Sequence, residues 1–170
     1  IATRPDCLGA DVLELLEELN KIKPVWVELG LQTIHPETAG FIRRGYDLSV
    51  FEQAVSNLRA ISLPVIVHTI LGLPGEGTKH LLATVAYLNA LDIQGVKFQL
   101  LHILKHTDLA DYYRDHPFAL PNMEEYYEML GQALCALRPD ITVHRITGDG
   151  PRSLLIAPLW TGHKRRVLNG

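Results

Sequence analysis

The sequence is poor in cysteine. Cys7 and Cys135 are its two thiols in 170 residues, and neither belongs to a C-x-x-C or to a His/Cys cluster at metal-ligand spacing. A disulfide framework or a zinc ribbon within this chain is thereby argued against, and two reduced thiols of a cytoplasmic protein are expected. No apolar run reaches the roughly 20 residues that span a bilayer, and no signal peptide opens the chain, so a membrane partner is not expected. Aromatic residues make up 7% of the chain and the net charge is −3. That balance gives no broad positive field for nucleic acid, although a local basic patch stays possible. Internal repeats at solenoid spacing and low-complexity stretches are absent. The first residue is Ile rather than Met, and Ile1-Ala2-Thr3 reads as the end of a strand. A cut through a longer protein is therefore expected at the N-terminus.

What is present is a hydrophobic fraction of 47%, enough for one globular domain or a piece of a larger one. The chain is organised around Val65-Ile66-Val67-His68-Thr69-Ile70-Leu71-Gly72-Leu73-Pro74-Gly75-Glu76. A nearly unbroken β-branched run reads as a strand buried on both faces, as in parallel sheets flanked by helices. His68 and Thr69 are its polar exceptions. The glycine-rich loop after it lies where β/α barrels and open α/β sheets hold ligands. Gly72 and Gly77 have phosphate-loop spacing, but Thr78 precedes Lys79 and so reverses the order that motif needs. A tight strand-to-helix turn, with glycines at positive φ, explains the loop without a ligand.

Elsewhere the pattern alternates. Val12, Leu15, Leu16, Leu19 and Ile22 fall on one helical face over residues 11–21, opened by an Asp11-x-x-Glu14 capping box. Residues 25–31 form a strand that carries Glu28, with Gln32-Thr33 in the loop beyond. Ser49-x-x-Glu52 is a second capping box, before a helix that buries Phe51, Ala54, Val55, Leu58 and Ile61. Leu81, Val85, Leu88 and Leu91 mark a third helix, and residues 96–104 a third strong strand. A short helix is expected within residues 106–116. Asn122-x-x-Glu125 caps another helix, with Met123, Tyr126, Tyr127, Leu130, Leu134 and Leu137 inward. Residues 141–146 read as a last strand. Repeated strand–helix units predict an α/β fold, a β/α sheet or barrel with mainly parallel strands.

Five pieces then carry a resemblance: Thr3-Arg4-Pro5-Asp6, Glu28-Leu29-Gly30-Leu31-Gln32-Thr33, the run from His68 to Glu76, Phe98-Gln99-Leu100-Leu101-His102, and His144-Arg145-x-x-Gly148-Asp149-Gly150-Pro151-Arg152. In this order they resemble the radical S-adenosylmethionine (SAM) proteins of the YhcC (YtqA) type, Elongator-like in their central strands. The likeness spans essentially all 170 residues. It implies the later part of a partial (β/α) barrel, from about the third strand and truncated on its N-terminal side, as a single domain 1–170 with a family-specific segment 139–170. It further implies a parent enzyme that uses a [4Fe–4S] cluster to cleave SAM into a 5′-deoxyadenosyl radical, possible RNA substrates such as tRNA, and a cytoplasmic location. Cluster ligands are thiolates; this chain holds no such motif, so no metal site and no activity are expected of it alone.

By the same resemblance, Arg4, Glu28, Gln32, His68, Gly72, Leu73, Pro74 and Gly75 are cofactor-facing. Gln32 is matched to a SAM-ribose contact, and His68 stands where relatives carry Asp. Thr33 is a weaker candidate. Gln32 could equally be a loop amide satisfied by backbone, His68 a hydrogen-bonded core residue, and Arg4 a surface ion pair. His68, His102 and Lys105 are the catalytic candidates. Arg145, Asp149 and Arg152 could bind an anionic substrate or close the barrel, while Lys164-Arg165-Arg166 reads as a solvated helix face. Alternative readings are another β/α-barrel lyase or isomerase, with Lys97 as the nearest thing to an aldolase lysine, and a non-catalytic RNA-binding module. Two geometric expectations follow: Gln32 and His68 face one cavity together with Glu28, and residues 25–31 lie near an exposed sheet edge that invites self-association.

Overall fold

The computed structural model describes residues 1–148 and 150–169, apart from the side chain of Lys164. Seven strands and seven α-helices alternate among the described residues: β1 (Ala2–Thr3), α1 (Ala10–Ile22), β2 (Val27–Gln32), α2 (Pro36–Phe41), α3 (Leu48–Ala60), β3 (Val65–Leu71), α4 (Thr78–Asn89), β4 (Gly95–Leu100), β5 (Ile103–Leu104), α5 (Asp108–Asp115), α6 (Met123–Ala136), β6 (Thr142–Arg145), β7 (Leu155–Ala157) and α7 (Lys164–Asn169). Five strands form a sheet in the order β1-β2-β3-β4-β6, every neighbouring pair parallel. Strands added in one direction, each crossing through a helix, are the winding of a β/α barrel rather than of a doubly wound sheet. The α/β expectation holds.

The strands are buried unequally on their two faces. Val27, Leu29, Leu31, Val65, Val67, Leu71, Val96 and Phe98 point into a core closed by Phe51, Ala54, Val55 and Leu58 of α3, Leu81, Val85 and Leu88 of α4, and Tyr126, Leu130 and Ala133 of α6. The other face carries Glu28, Gly30, His68, Ile70, Lys97 and Gln99, all of them half-buried there. This division resolves the two polar residues of β3. Thr69 is buried on the core side with its hydroxyl on the Lys97 carbonyl (3.4 Å), while His68 lies on the open side.

Several local expectations need correction. The Asn122/Glu125 capping box forms, but the other two do not. Helix α1 starts from Gly9 and α3 from Asp47, neither with a side-chain cap bond. Of the α1 stripe, Leu16 is buried whereas Leu15, Leu19 and Ile22 stand 54%, 38% and 84% exposed. In α6, Met129 and Ala133 are buried in place of Leu134. The strand expected over residues 96–104 breaks at Leu101-His102, because β5 leaves the sheet to pair antiparallel with β7. That second sheet belongs to a folded tail: Trp160 Nε1 donates to Pro121 O, Tyr127 OH reaches the Arg166 and Val167 carbonyls, and Val167 is buried.

Candidate functional site

Strand β2 ends irregularly, and the irregularity builds the site. Gly30 pairs with His68, but the next pair is Gln32 with Thr69, so Leu31 is an extra residue in the ladder. Gln32 then takes φ +64°, a left-handed conformation that costs a side-chain-bearing residue about 1–2 kcal/mol. Such strain persists only where surrounding contacts over-determine it. Here the two-residue β1 pairs only as far as Leu29, and two side chains from the α2–α3 connection take over. Tyr46 OH donates to Gly30 O, and Arg44 donates to Leu31 O (3.3 Å), Thr33 O (2.8 Å) and Tyr46 O (3.0 Å). A Cβ on Gly30 would stand 2.7 Å from Gln32 Nε2, so the amide lies over Gly30. It has no hydrogen-bond partner among the described residues.

That amide borders a cavity of about 610 Å³ at the C-terminal ends of β2 and β3, lined also by Arg4, Arg44, Tyr46, Ile70, Leu73, Leu101 and the aromatic pair Phe41–Tyr112. Arg4 commits two nitrogens to Asp6 (2.9 and 2.7 Å) and stacks on Tyr46 with 5.4 Å to the ring centre. It is thus both the ion pair and the cavity wall that the sequence left open. Leu73 lines the cavity and Gly72 a crevice beneath Gln32. Pro74 and Gly75 complete the turn without lining the cavity; Gly75 has φ +81°. Thr33 is buried, and its hydroxyl donates to Glu76 Oε1 (2.6 Å), tying the loop after β2 to the loop after β3.

Below the cavity, the same face carries a polar network. His68 Nε2 donates to Glu28 Oε2 (3.0 Å), Gln99 Nε2 donates to His68 Nδ1 (3.1 Å), and Lys97 Nζ donates to Glu28 Oε1. These partners fit a neutral imidazole with its proton on Nε2. Burial pushes the His68 pKa down, against Glu28, which favours the charged ring. Gln32 and His68 therefore share a face with Glu28 as expected, but the cavity is lined by Gln32 and not by His68 or Glu28.

The remaining candidates disperse. Arg145, at the end of β6, is in register with Lys97 and adds to the disfavouring of a charged His68, but it lines no part of the cavity and makes no hydrogen bond or ion pair among the described residues. Arg152 sits in the tail against Gly162 and His163, away from the Arg145 register. Asp149 lies outside the described residues. His102 packs under Gly148 and Gly150, 2.9 Å from a Cβ placed on Gly148. Lys105 donates to Ser153 O (3.2 Å). Neither lines the cavity. Sequence reasoning missed Arg44, Tyr46 and Lys97 as site-building residues; the Arg43-Arg44-Gly45 run, with Gly45 at φ +84°, was the available signal for the first two.

The model of the radical SAM superfamily matches residues 1–88, and that of the Radical_SAM C-terminal domain matches residues 93–170. The chain belongs to the radical SAM superfamily. Among curated relatives of this radical SAM chain, YtqA of Bacillus subtilis (strain 168) is 42% identical over 99% of it, and YhcC of Escherichia coli (strain K12) 35% identical over 94%. The chain spans 52% of the length of either, so about half. A tRNA uridine(34) acetyltransferase of Methanocaldococcus jannaschii is 25% identical over 92% of the chain and is covered over 29% of its own length. In fold, the chain is similar to the archaeal Methanocaldococcus infernus Elp3, with a TM-score of 0.81 at 20% identity over 98% of this chain and 41% of that one.

Proposed function

We propose that this chain forms the SAM-facing and substrate-facing part of a cytoplasmic radical SAM enzyme that modifies RNA, tRNA included. The observation that carries the proposal is Gln32, a partnerless amide held in a left-handed conformation at the mouth of a cavity. Backbone strain of this kind concentrates at ligand sites. An amide both donates and accepts, which suits the paired hydroxyls of a ribose. Ile70 and Leu73 offer an apolar wall, and the unused Nη1 of Arg4 a donor for an anionic group. SAM bound there would give methionine and a 5′-deoxyadenosyl radical only on receiving one electron, which no group among the described residues supplies. The cavity's partly apolar walls would shield one side of a bound ligand, which Gln32 and Arg4 would orient. A [4Fe–4S] cluster does not fit the described residues: no group of three or more His, Cys, Asp or Glu among them could hold a metal, and Cys7 and Cys135 are exposed singly. Among the described residues no helix is long and apolar enough to cross a membrane. Similarity to a tRNA-modifying acetyltransferase supports RNA as substrate.

The test is SAM affinity. Gln32→Ala and Gln32→Gly should each weaken binding to the full-length protein by about 1–2 kcal/mol, the cost of one lost hydrogen bond. Gln32→Gly should leave stability within about 1 kcal/mol, since glycine relieves the positive φ. Unchanged affinity in both variants contradicts the assignment.

The edge gives a second expectation. β1 is only two residues long and stands at the edge of the sheet, and Ile1 at its start is exposed, as are Leu15, Leu19 and Ile22 of the following helix. We propose that copies of this chain associate there. Sedimentation equilibrium should show reversible association, and a clean monomer at high concentration counts against it.

A further inference from the structure

The charge of the chain is divided. Residues 1–150 hold 12 Lys and Arg against 19 Asp and Glu, whereas residues 151–170 hold four basic residues and no acidic one. The structure gathers part of that excess. Arg152, His163, Arg165 and Arg166 surround an open cavity of about 580 Å³ with Gly162. Arg152 is oriented by its own bonds, Nε donating to Gly162 O and Nη2 to His163 Nδ1 (3.4 Å). Arg4, Arg43, Arg59, Arg114 and Arg138 each face a carboxylate, but Arg152, Arg165 and Arg166 face none among the described residues. The platform beneath is fixed, since α7 is held by Tyr127 and buried Val167.

We propose that this tail cluster is a phosphate-backbone contact for the RNA substrate. The proposal rests on the RNA assignment above and adds where the strand is gripped. Exposed guanidinium groups around an open hollow suit a polyanion approached from solvent. They do not suit a small ligand, which would be buried. The position fits as well. Strand β7 pairs with β5, which begins three residues beyond the end of β4. The tail therefore stands on the C-terminal side of the sheet, where the Gln32 cavity opens. RNA held by the tail would be presented to that cavity, and the acidic remainder of the chain would discourage other docking.

Fluorescence anisotropy with labelled single-stranded oligouridylate and with bulk tRNA tests this on the full-length protein. Arg165→Glu/Arg166→Glu should weaken binding about tenfold or more and lower the slope of log K against log salt by about 1.4, the loss of two phosphate contacts. Arg165→Gln/Arg166→Gln should lower the slope similarly and serves if charge reversal disturbs the fold. Lys21→Glu/Lys23→Glu, the same charge change at exposed positions at and just after the end of α1, should alter affinity by no more than about twofold. An unchanged slope in the tail variants, or equal weakening by the α1 pair, overturns the proposal. SAM affinity should be unaffected by the tail variants, so this failure is separable from failure at Gln32.

Discussion

Glu28→Ala is expected to destabilise the fold by about 3 kcal/mol, the low end for breaking a buried ion pair. Glu28, Lys97 and His68 are only 18%, 14% and 22% exposed at their side chains. Removing the carboxylate leaves the Lys97 ammonium enclosed without its counter-charge and His68 Nε2 without an acceptor. Glu28→Ala combined with Lys97→Met should recover most of the loss, because an apolar replacement of both partners is often neutral. The same group sets an acid dependence. Burial alone would raise the Glu28 carboxyl, but hydrogen bonds from Lys97 and His68, with their charges, hold it down at about 2 from an ordinary 4.5. A depressed carboxyl stabilises fully above its unfolded value, and that contribution, on the order of 2–3 kcal/mol, is lost as pH falls from 4.5 toward 2. His68 acts in the same sense higher up, since its folded pKa lies below the ordinary 6.5. The unfolded chain then binds the proton first, and stability declines as pH drops below 6.5. Urea denaturation across pH should show two descending legs in the native protein. Glu28→Ala should lose the lower one; an identical profile in the variant contradicts the assignment.

Gly72→Ala should cost about 2–3 kcal/mol. Gly72 has φ +75°, and a Cβ there would stand 3.1 Å from Leu100 Cδ1 and from Pro121 Cδ. Left-handed backbone accounts for about 1–2 kcal/mol and overpacking for about 1 more. Leu100 is buried on the core side and cannot retreat. Gly75→Ala separates the two contributions, because Gly75 has φ +81° but open space around its missing Cβ. It should cost only about 1 kcal/mol. Equal losses measured by thermal unfolding would mean that packing at Gly72 is not the constraint.

The turn made by those glycines was legible from sequence, as were β3 and the Asn122 cap, because each depends on neighbours within a few residues; the packing of Leu100 and Pro121 against Gly72 was not. The caps expected at Asp11 and Ser49 show the limit. Both helices begin earlier, from Gly9 and Asp47, so a capping-box spacing inside a helix carries no capping function. The break at Leu101-His102 was invisible because β7, some 50 residues later, supplies the partner that draws β5 out of the sheet. From sequence, Lys97 stands out only as an aldolase-like lysine. Its partner Glu28 is 69 residues away, and only the register of three parallel strands brings them together. Gln32 stands out in the sequence through a family motif. Its left-handed backbone arises from a bulge stabilised by Arg44 and Tyr46, which local periodicity does not encode.

The most direct measurement is a crystal structure of the full-length protein with SAM bound. The Gln32 side-chain amide should lie within hydrogen-bond distance of a ribose hydroxyl, with the ligand in the cavity walled by Arg4, Ile70 and Leu73. SAM bound elsewhere, with Gln32 still folded over Gly30 and making no contact to it, would contradict the account.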